Sequence, residues 1–524
     1  MGPTLAANAD GNDGYRYALA DFLAGQTSKA SIAIGDPERQ VFVNTWFLNA
    51  GDSWQFSPKL NVNYGIRYDY VGPLHNSNKD MSVFRPDLTA NNGLAFQGVQ
   101  IDNLYNRYWK SFSPRLGASY QLIPSAVVRV SYGFYTDTPN LNPFLDNRPG
   151  NSAPNGVEGN PGGPNPVYTV APVGGAKTTI AKNVAIFPSA LNGSPCSATS
   201  QCGVFSVNPN FRPSYNQNYS INVEKSLTPS VMAQVGYVGS TARHLLSLLD
   251  INQLNVVAGA QALPYSTQYS QYGNINQLES IGTSNYNSLQ TQIRLTNWHR
   301  LSGSAVYTWS HALDEVTAYR GALPQDSFNF KGDYSNSDFD TRHTFVSNLS
   351  YELPGSSWGP KELTHGWQLN SLISFHGGQP FTVHASGDIS GTGEGNDRAV
   401  QIGPIRKGYQ GQKPSANWLD PAAFADPASG TFGTTRRNAY YGPGYSDVDL
   451  SVFKNTKVTE RVTVQFRAEM FNLFNRTNFA PPAYGYVSSY GDFTLDDTIG
   501  DYNGAPGIGA GEPFNTQLAL KVIF

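Results

Sequence analysis

From Val462 to Met470 the chain alternates without a break. Val462, Val464, Phe466, Ala468 and Met470 fall on one side of an extended backbone, and Thr463, Gln465, Arg467 and Glu469 fall on the other. A period of two describes a strand with one apolar and one polar face, because the apolar positions of a helix return every three to four residues. The preceding segment repeats the pattern, with Val448, Leu450 and Val452 against Asp447, Asp449 and Ser451, and the polar stretch Asn455 to Glu460 joins the two as a hairpin. The chain ends the same way, with Leu518, Leu520, Val522 and Phe524 opposite Gln517, Ala519 and Lys521. If the apolar face meets lipid, a slip of one residue would place Arg467 and Glu469 in hydrocarbon, and an arginine at the bilayer midplane alone costs roughly 2–4 kcal/mol. The register is therefore well specified.

Alternating segments of this kind recur along the whole chain, about fifteen of them, the frequency expected of an all-β protein. They are Tyr15 to Leu23, Lys29 to Ile34, Gln40 to Phe56, Lys59 to Tyr70, Pro114 to Leu122, Ala126 to Tyr135, Gln217 to Ser226 and Val231 to Gly239, then Asn287 to Asn297, Leu301 to His311, His343 to Leu353, Trp367 to Gly377, Ser446 to Lys454, Arg461 to Phe471 and Asn515 to Phe524. Their connections alternate in length. Ser57-Pro58, Ile123 to Ser125, Leu227 to Ser230, Trp298 to Arg300, Pro354 to Gly366 and Asn455 to Glu460 are the shorter set. Between them lie Val71 to Ser113, Thr136 to Asn216, Ser240 to Tyr286, Ala312 to Arg342, Gly378 to Tyr445 and Asn472 to Phe514. Short turns on one side and long loops on the other are the pattern of an antiparallel transmembrane β-barrel, with periplasmic turns and extracellular loops. A sandwich or propeller has no reason to segregate its loops this way. By the same parity Phe524 lies on the periplasmic side, and Tyr64, Tyr68, Tyr70, Tyr132, Phe134, Tyr307, Trp309 and Tyr351 fall on the apolar face towards strand ends, where aromatic girdles form.

Composition agrees. Only 14% of the 524 residues are charged, against about 25% in an ordinary soluble domain. A net charge of -3 gives no basis for a nucleic-acid partner bound through phosphate neutralisation. No window approaches the roughly 20 apolar residues a membrane helix needs, and a mean hydropathy of -0.37 is what a barrel with a polar lumen gives. No signal peptide is visible in MGPTLAANADGNDGYRY.

HExxH, GxxxxGK[ST] and paired CxxC motifs are absent and there is no GxSxG elbow, so no catalytic residue, metal ligand or cofactor is assigned and the chain is not read as an enzyme. GTGEGN (Gly391 to Asn396) and GAPGIGAG (Gly504 to Gly511) lack the strand-to-helix context of a phosphate cradle and read as loop tips. Cys196 and Cys202 form a candidate disulfide in an oxidising compartment, two free thiols being the alternative. Asp338, Asp340, Arg342 and His343 cluster at the entry to a strand, where charge pairing at the outer rim would pin a loop. Arg67, Asp69, Arg129, Arg294, Arg467 and Glu469 alternate with apolar residues and are expected to face the lumen. Ligand recognition would belong to the long loops that the scaffold displays.

In order along the chain, LNVNYGIRYDY (Leu60 to Tyr70), FSPRLGASY (Phe112 to Tyr120), VRVSYGFYTD (Val128 to Asp137), YVGSTARHLL (Tyr237 to Leu246), YNSLQTQIRL (Tyr286 to Leu295), YTWSHALDE (Tyr307 to Glu315), DFDTRHTFVSNLSYELP (Asp338 to Pro354), GGQPFTV (Gly377 to Val383), WLDPAAFADP (Trp418 to Pro427), RAEMFNLFNRTNF (Arg467 to Phe479) and the terminal LALKVIF together resemble the barrel of TonB-dependent outer-membrane receptors of the Oar-like type. The resemblance covers nearly the whole chain. It implies location in the bacterial outer membrane, a barrel of 22 strands, a solute bound by extracellular loops, and uptake energised by the TonB complex. Neither a signal, a plug nor a TonB box is found in this sequence, so residues 1–524 are expected to be a partial barrel of about fifteen strands. The expected partners are outer-membrane lipid, an unknown solute, TonB through the missing N-terminal region, and the barrel assembly machinery, for which the terminal Phe524 resembles the recognition signal. A passive porin-like channel and a surface adhesion or structural barrel are the alternatives.

Overall fold

A computed structural model describes residues 40–77, 81–88, 90–146, 196–199, 201–317, 323–405, 418–478, 482 and 513–524, with short strand segments at 26–27, 32–34, 168–170, 178–179 and 485–486. Thirteen strands form an antiparallel meander: β1 Thr45–Ser57, β2 Leu60–Val71, β3 Phe112–Ile123, β4 Ala126–Thr136, β5 Tyr215–Thr228, β6 Val231–Asp250, β7 Tyr272–Trp298, β8 Leu301–Asp314, β9 His343–Glu352, β10 Trp367–His376, β11 Tyr445–Lys457, β12 Thr463–Phe471 and β13 Asn515–Ile523. Each pairs with the next in sequence. Cys202–Val207, which runs parallel to β7, and Ser335–Asn336, beside β8, bring the sheet to fifteen strands. Among the described residues β1 and β13 are its two edges. No described helix is long and apolar enough to cross a membrane.

The register carries the alternation from strand to strand. Trp46, Leu48, Ala50 and Trp54 of β1 stand opposite Tyr70, Tyr68, Ile66 and Val62 of β2. Eleven strands later the same face shows Val464, Phe466 and Ala468 of β12 opposite Val522, Leu520 and Leu518 of β13. These side chains are largely exposed, Leu48 at 65% and Leu520 at 70%, as a lipid-facing belt in a protein without its lipid must be. Asp52, opposite Tyr64 on the edge strand β1, interrupts the belt. A two-residue turn joins β7 to β8 through His299 and Arg300, both in the left-handed region at φ 51° and 71°. Positive φ at both central residues matches the twist of a two-residue hairpin.

Several sequence expectations need correction. Gln40 to Phe56 is not one strand: Val41–Phe42 pairs with His75–Asn76 apart from the main sheet, and β1 begins at Thr45. Of Lys29 to Ile34 only Ile32–Ile34 is described, paired with Tyr168–Val170. Tyr15 to Leu23 and Gly504 to Gly511 lie outside the described residues. The largest departure is at Ser240 to Tyr286, expected as a loop. β6 runs 20 residues and β7 runs 27, so the two continue as a paired ladder far past the lipid belt. Strict alternation ends there because no lipid face requires it, while the backbone hydrogen bonds continue.

That extension carries the packed interior. Leu248 and Leu278 join Leu74, Met81, Val83, Leu104, Tyr105, Phe144, Phe205, Val207 and Phe211 in one buried cluster, drawn from three long connections. A second gathers Phe84, Leu94, Phe96, Val204, Tyr269, Tyr272 and Ile275, with Phe84 meeting the Tyr265, Tyr269 and Tyr272 rings edge-on. A third, in the loop between β10 and β11, holds Phe381, Val383, Ala399, Trp418, Leu419, Ala423, Phe424 and Tyr440. The long loops thus have hydrophobic cores of their own.

Candidate functional site

The loop from β8 to β9 and the loop from β10 to β11 meet above the end of the sheet, and two arginines lock them together. Arg437, from the second loop, donates to the Asp314 carboxylate and carbonyl at the end of β8, to the Asp333 carbonyl at 3.2 Å and to Asp338 Oδ1 at 3.2 Å. Arg398 donates to Asp333 Oδ1 at 2.6 Å, and its backbone N–H donates to Gln325 Oε1 at 2.7 Å. Asn438, itself left-handed at φ 51°, donates from Nδ2 to the Asn336 carbonyl and to Asp338 Oδ1. Gly433 lies so close to the Arg398 carbonyl that a Cβ there would sit 1.6 Å from the oxygen, so only glycine permits this closure.

Between the loops lies a cavity of about 260 Å³ lined by Val316, Leu323, Phe330, Thr382, Asn396 and Arg398, among others. Asn396 Nδ2 donates to the Leu323 and Pro324 carbonyls at 2.8 and 2.9 Å, whereas its Oδ1 and the Arg398 Nε are buried with no hydrogen-bond partner. Buried polar atoms are nearly always paired, so a donor and an acceptor left open beside a cavity can take a polar ligand. His384 also lines it. Burial, and then the Arg398 charge, push its pKa below the usual imidazole range, so it is neutral at pH 7.

The residues singled out from sequence fall into three groups. Asp340 and Arg342 are paired at 2.8 Å, and the fully buried Asp340 also accepts from the Ala312 N–H at 2.8 Å and the Tyr441 hydroxyl at 2.7 Å. Burial, and then the Asp340 carboxylate, push the Tyr441 phenol up to about 12. Asp338 joins Arg437 instead. His343 leaves the cluster altogether: β9 begins there, so it points to the face opposite Arg342, across from Trp309, with its ring nitrogen 2.8 Å from the Tyr307 hydroxyl. The four residues are therefore not one rim cluster, and the alternation itself separates them.

The second group is the inward wall. Arg67 pairs with Asp69 at 2.7 Å and lies 3.9 Å above the Phe47 ring, Arg129 pairs with Glu224, and Arg467 donates to Gln465 Oε1 at 2.6 Å over the Phe453 ring. Arg294 and Glu469 share this face by register, opposite Met232 and Ser304, and Ser451 and Gln517 respectively. The third group is the cysteines: Cys196 and Cys202 are joined by a disulfide, and Cys202 is fully buried at the start of its strand. Phe524 follows β13 at the short-turn end and is 93% exposed.

GTGEGN is not a bare loop tip. The Asp388 carboxylate accepts from the N–H groups of Thr392 and Gly393 at 3.0 and 2.8 Å, occupying donors that a phosphate would need. Burial pushes the neighbouring Glu394 carboxyl up to about 8, with the Asp250 and Asp388 carboxylates adding to it. WLDPAAFADP supplies loop core, with Trp418 Nε1 donating to the Tyr441 carbonyl at 2.7 Å and Asp420 capping the Pro421–Ala423 turn. Among the described residues no group of three or more His, Cys, Asp or Glu is placed to hold a metal ion. The residues that sequence reasoning missed are Arg398 and Arg437. Their signal was weak: arginines with no periodic pattern around them, in long loops.

The chain resembles the pyoverdine outer-membrane receptor FpvA from Pseudomonas aeruginosa (10% identity, TM-score 0.44, covering 93% of this chain and 43% of that one). It also resembles the ferric-catecholate import receptor Fiu from E. coli (12%, 0.41, 93% and 45%) and the copper transporter OprC (10%, 0.42, 92% and 48%). It spans less than half the length of each. No curated protein gives a significant match. The model of the outer membrane beta barrel domain matches residues 3–501; with its alternating strands, outward apolar belt and polar inner wall, the chain belongs to that family and is a protein of the bacterial outer membrane.

Proposed function

We propose that the chain is the barrel part of a TonB-dependent outer-membrane transporter, whose long loops bind a solute and whose polar wall passes it to the periplasm. The observation that carries this is the loop cavity with the unpartnered Arg398 Nε and Asn396 Oδ1 at its wall. A surface barrel made for adhesion needs no cavity with open polar atoms in its wall. Here Arg398 and Arg437 hold two loops shut over the sheet by buried ion pairs. Release of solute then requires these contacts to yield. That is work an energised partner supplies, and the resemblance of the ordered motifs to Oar-like receptors supports TonB as that partner. The loop arginines hold and orient the solute, and no bond in it is made or broken.

The test is depletion of solutes from the growth medium, followed by mass spectrometry in cells with and without the gene. A solute whose uptake needs the gene, is abolished by a protonophore and by loss of TonB, and falls at least tenfold with Arg398→Ala would be the expected result. Gene-dependent uptake that survives loss of TonB would establish a passive channel instead.

A further inference from the structure

At the opposite end of the sheet the short turns build a second pocket, unrelated to solute uptake. We infer that this pocket, between the β10 entry turn and the β11–β12 turn, binds the headgroup of an anionic phospholipid in the periplasmic leaflet. Its volume is about 420 Å³, and Lys361, Glu362, His365, Lys454, Lys457 and Thr463 are among its lining residues. Three lysines face a single acid.

Lys454 makes the case specific. It shares the outward face with Val448, Leu450 and Val452, opposite Trp367 on β10 and Phe466 on β12. A lysine on a lipid face is tolerated only where its ammonium reaches the interface. Its Nζ lies 5.9 Å from the centroid of the Trp367 ring and donates to the Asn455 carbonyl at 3.2 Å and Thr456 Oγ1 at 3.1 Å. An ammonium has three donors, so one is left for a ligand. Trp367 is fixed in turn by its Nε1 donating to the Leu363 carbonyl at 2.7 Å.

The turn beside the pocket is shaped for a membrane surface. Trp358 and Leu363 are 87% and 67% exposed, although both are large and apolar, and they flank Lys361. On the soluble side such exposure would be a liability; at an interface the apolar side chains enter the acyl region while the adjacent lysines meet phosphate. A free phosphate would account for the lysines but leave Trp358 and Leu363 unexplained. The lipid accounts for both.

The full chain in detergent micelles, doped with equal amounts of phosphatidylglycerol and phosphatidylcholine, can be examined by native mass spectrometry. Phosphatidylglycerol should be retained preferentially, and the double variant Lys361→Glu/Lys457→Glu should lower that retention by about tenfold or more, given the strength of lysine–anionic-lipid attraction. Both lysines lie on turn and rim backbone, and heat-modifiable mobility on gels verifies that the variant is folded. Trp358 fluorescence, taken as the difference between the protein and its Trp358→Phe variant, should be quenched by lipid brominated on its acyl chains. Equal retention of the two lipids, retention untouched by the charge reversal, or displacement of the lipid by millimolar inorganic phosphate would overturn the proposal.

Discussion

Replacing Ile221 by arginine tests the reading of the two faces where it is most exposed to failure. Ile221 lies near the middle of β5, outward, between Val130 of β4 and Tyr237 of β6. Six to seven residues separate it from either strand end. At about 3.4 Å per residue and a tilt of about 45°, that places it roughly 15 Å from each end along the membrane normal, at the midplane of the hydrocarbon. There an arginine costs roughly 2–4 kcal/mol, or about 30-fold to several-hundred-fold in the folding equilibrium. Its neighbour Ser220 faces inward, with its hydroxyl 2.8 Å from that of Ser131. Ser220→Arg loses that bond, worth about 1 kcal/mol, and puts its charge in a polar lumen. Urea titration of both variants folded into phosphatidylcholine vesicles, read by heat-modifiable gel mobility, gives the two costs directly. If Ser220→Arg proves as damaging as Ile221→Arg, or more so, the assignment of faces is wrong and with it the lipid belt.

Arg437→Ala would leave the Asp314 carboxylate, 5% exposed as a residue, without its partner; breaking a buried pair costs roughly 3–5 kcal/mol. Hydrogen exchange should quicken across the β8–β9 and β10–β11 loops while β5 and β6 stay protected. Gly433→Ala should loosen the same loops by a different route, collision with the Arg398 carbonyl, and should be epistatic with Arg437→Ala rather than additive. Glu394 sets a pH dependence: its folded pKa of about 8 lies above the ordinary 4.5, so the folded loop holds the proton more tightly than the unfolded one. Its contribution is complete below about pH 4.5 and is lost as pH rises through about 8. Exchange protection of Ser390–Asp397, corrected for intrinsic rates, should therefore fall between about pH 4.5 and 8 and level off above that, and Glu394→Gln should flatten that fall.

The strands were legible because the signal that makes them is local. A side chain two residues on points the same way whatever the rest of the chain does, so alternation in Leu60–Tyr70 or Val462–Met470 located the strand, its two faces and its register without any knowledge of partners. The same rule should have parted His343 from Arg342, and the expectation of one rim cluster overlooked it. The loops were another matter. Leu74, Phe144, Phe205 and Leu248 form one core although they come from three separate connections, and Arg437 meets Asp314 across 123 residues. No period in the sequence encodes such meetings, because each depends on where the sheet delivers the ends of loops that are distant along the chain. The long ladder of β6 and β7 escaped for a related reason: beyond the lipid, backbone hydrogen bonds hold a strand together without demanding that one face be apolar. The sequence by itself thus determined the membrane-spanning sheet, through a solvent that sorts every second side chain. Only tertiary structure decided the loop cavity, because its walls are set by contacts between segments that share no local pattern.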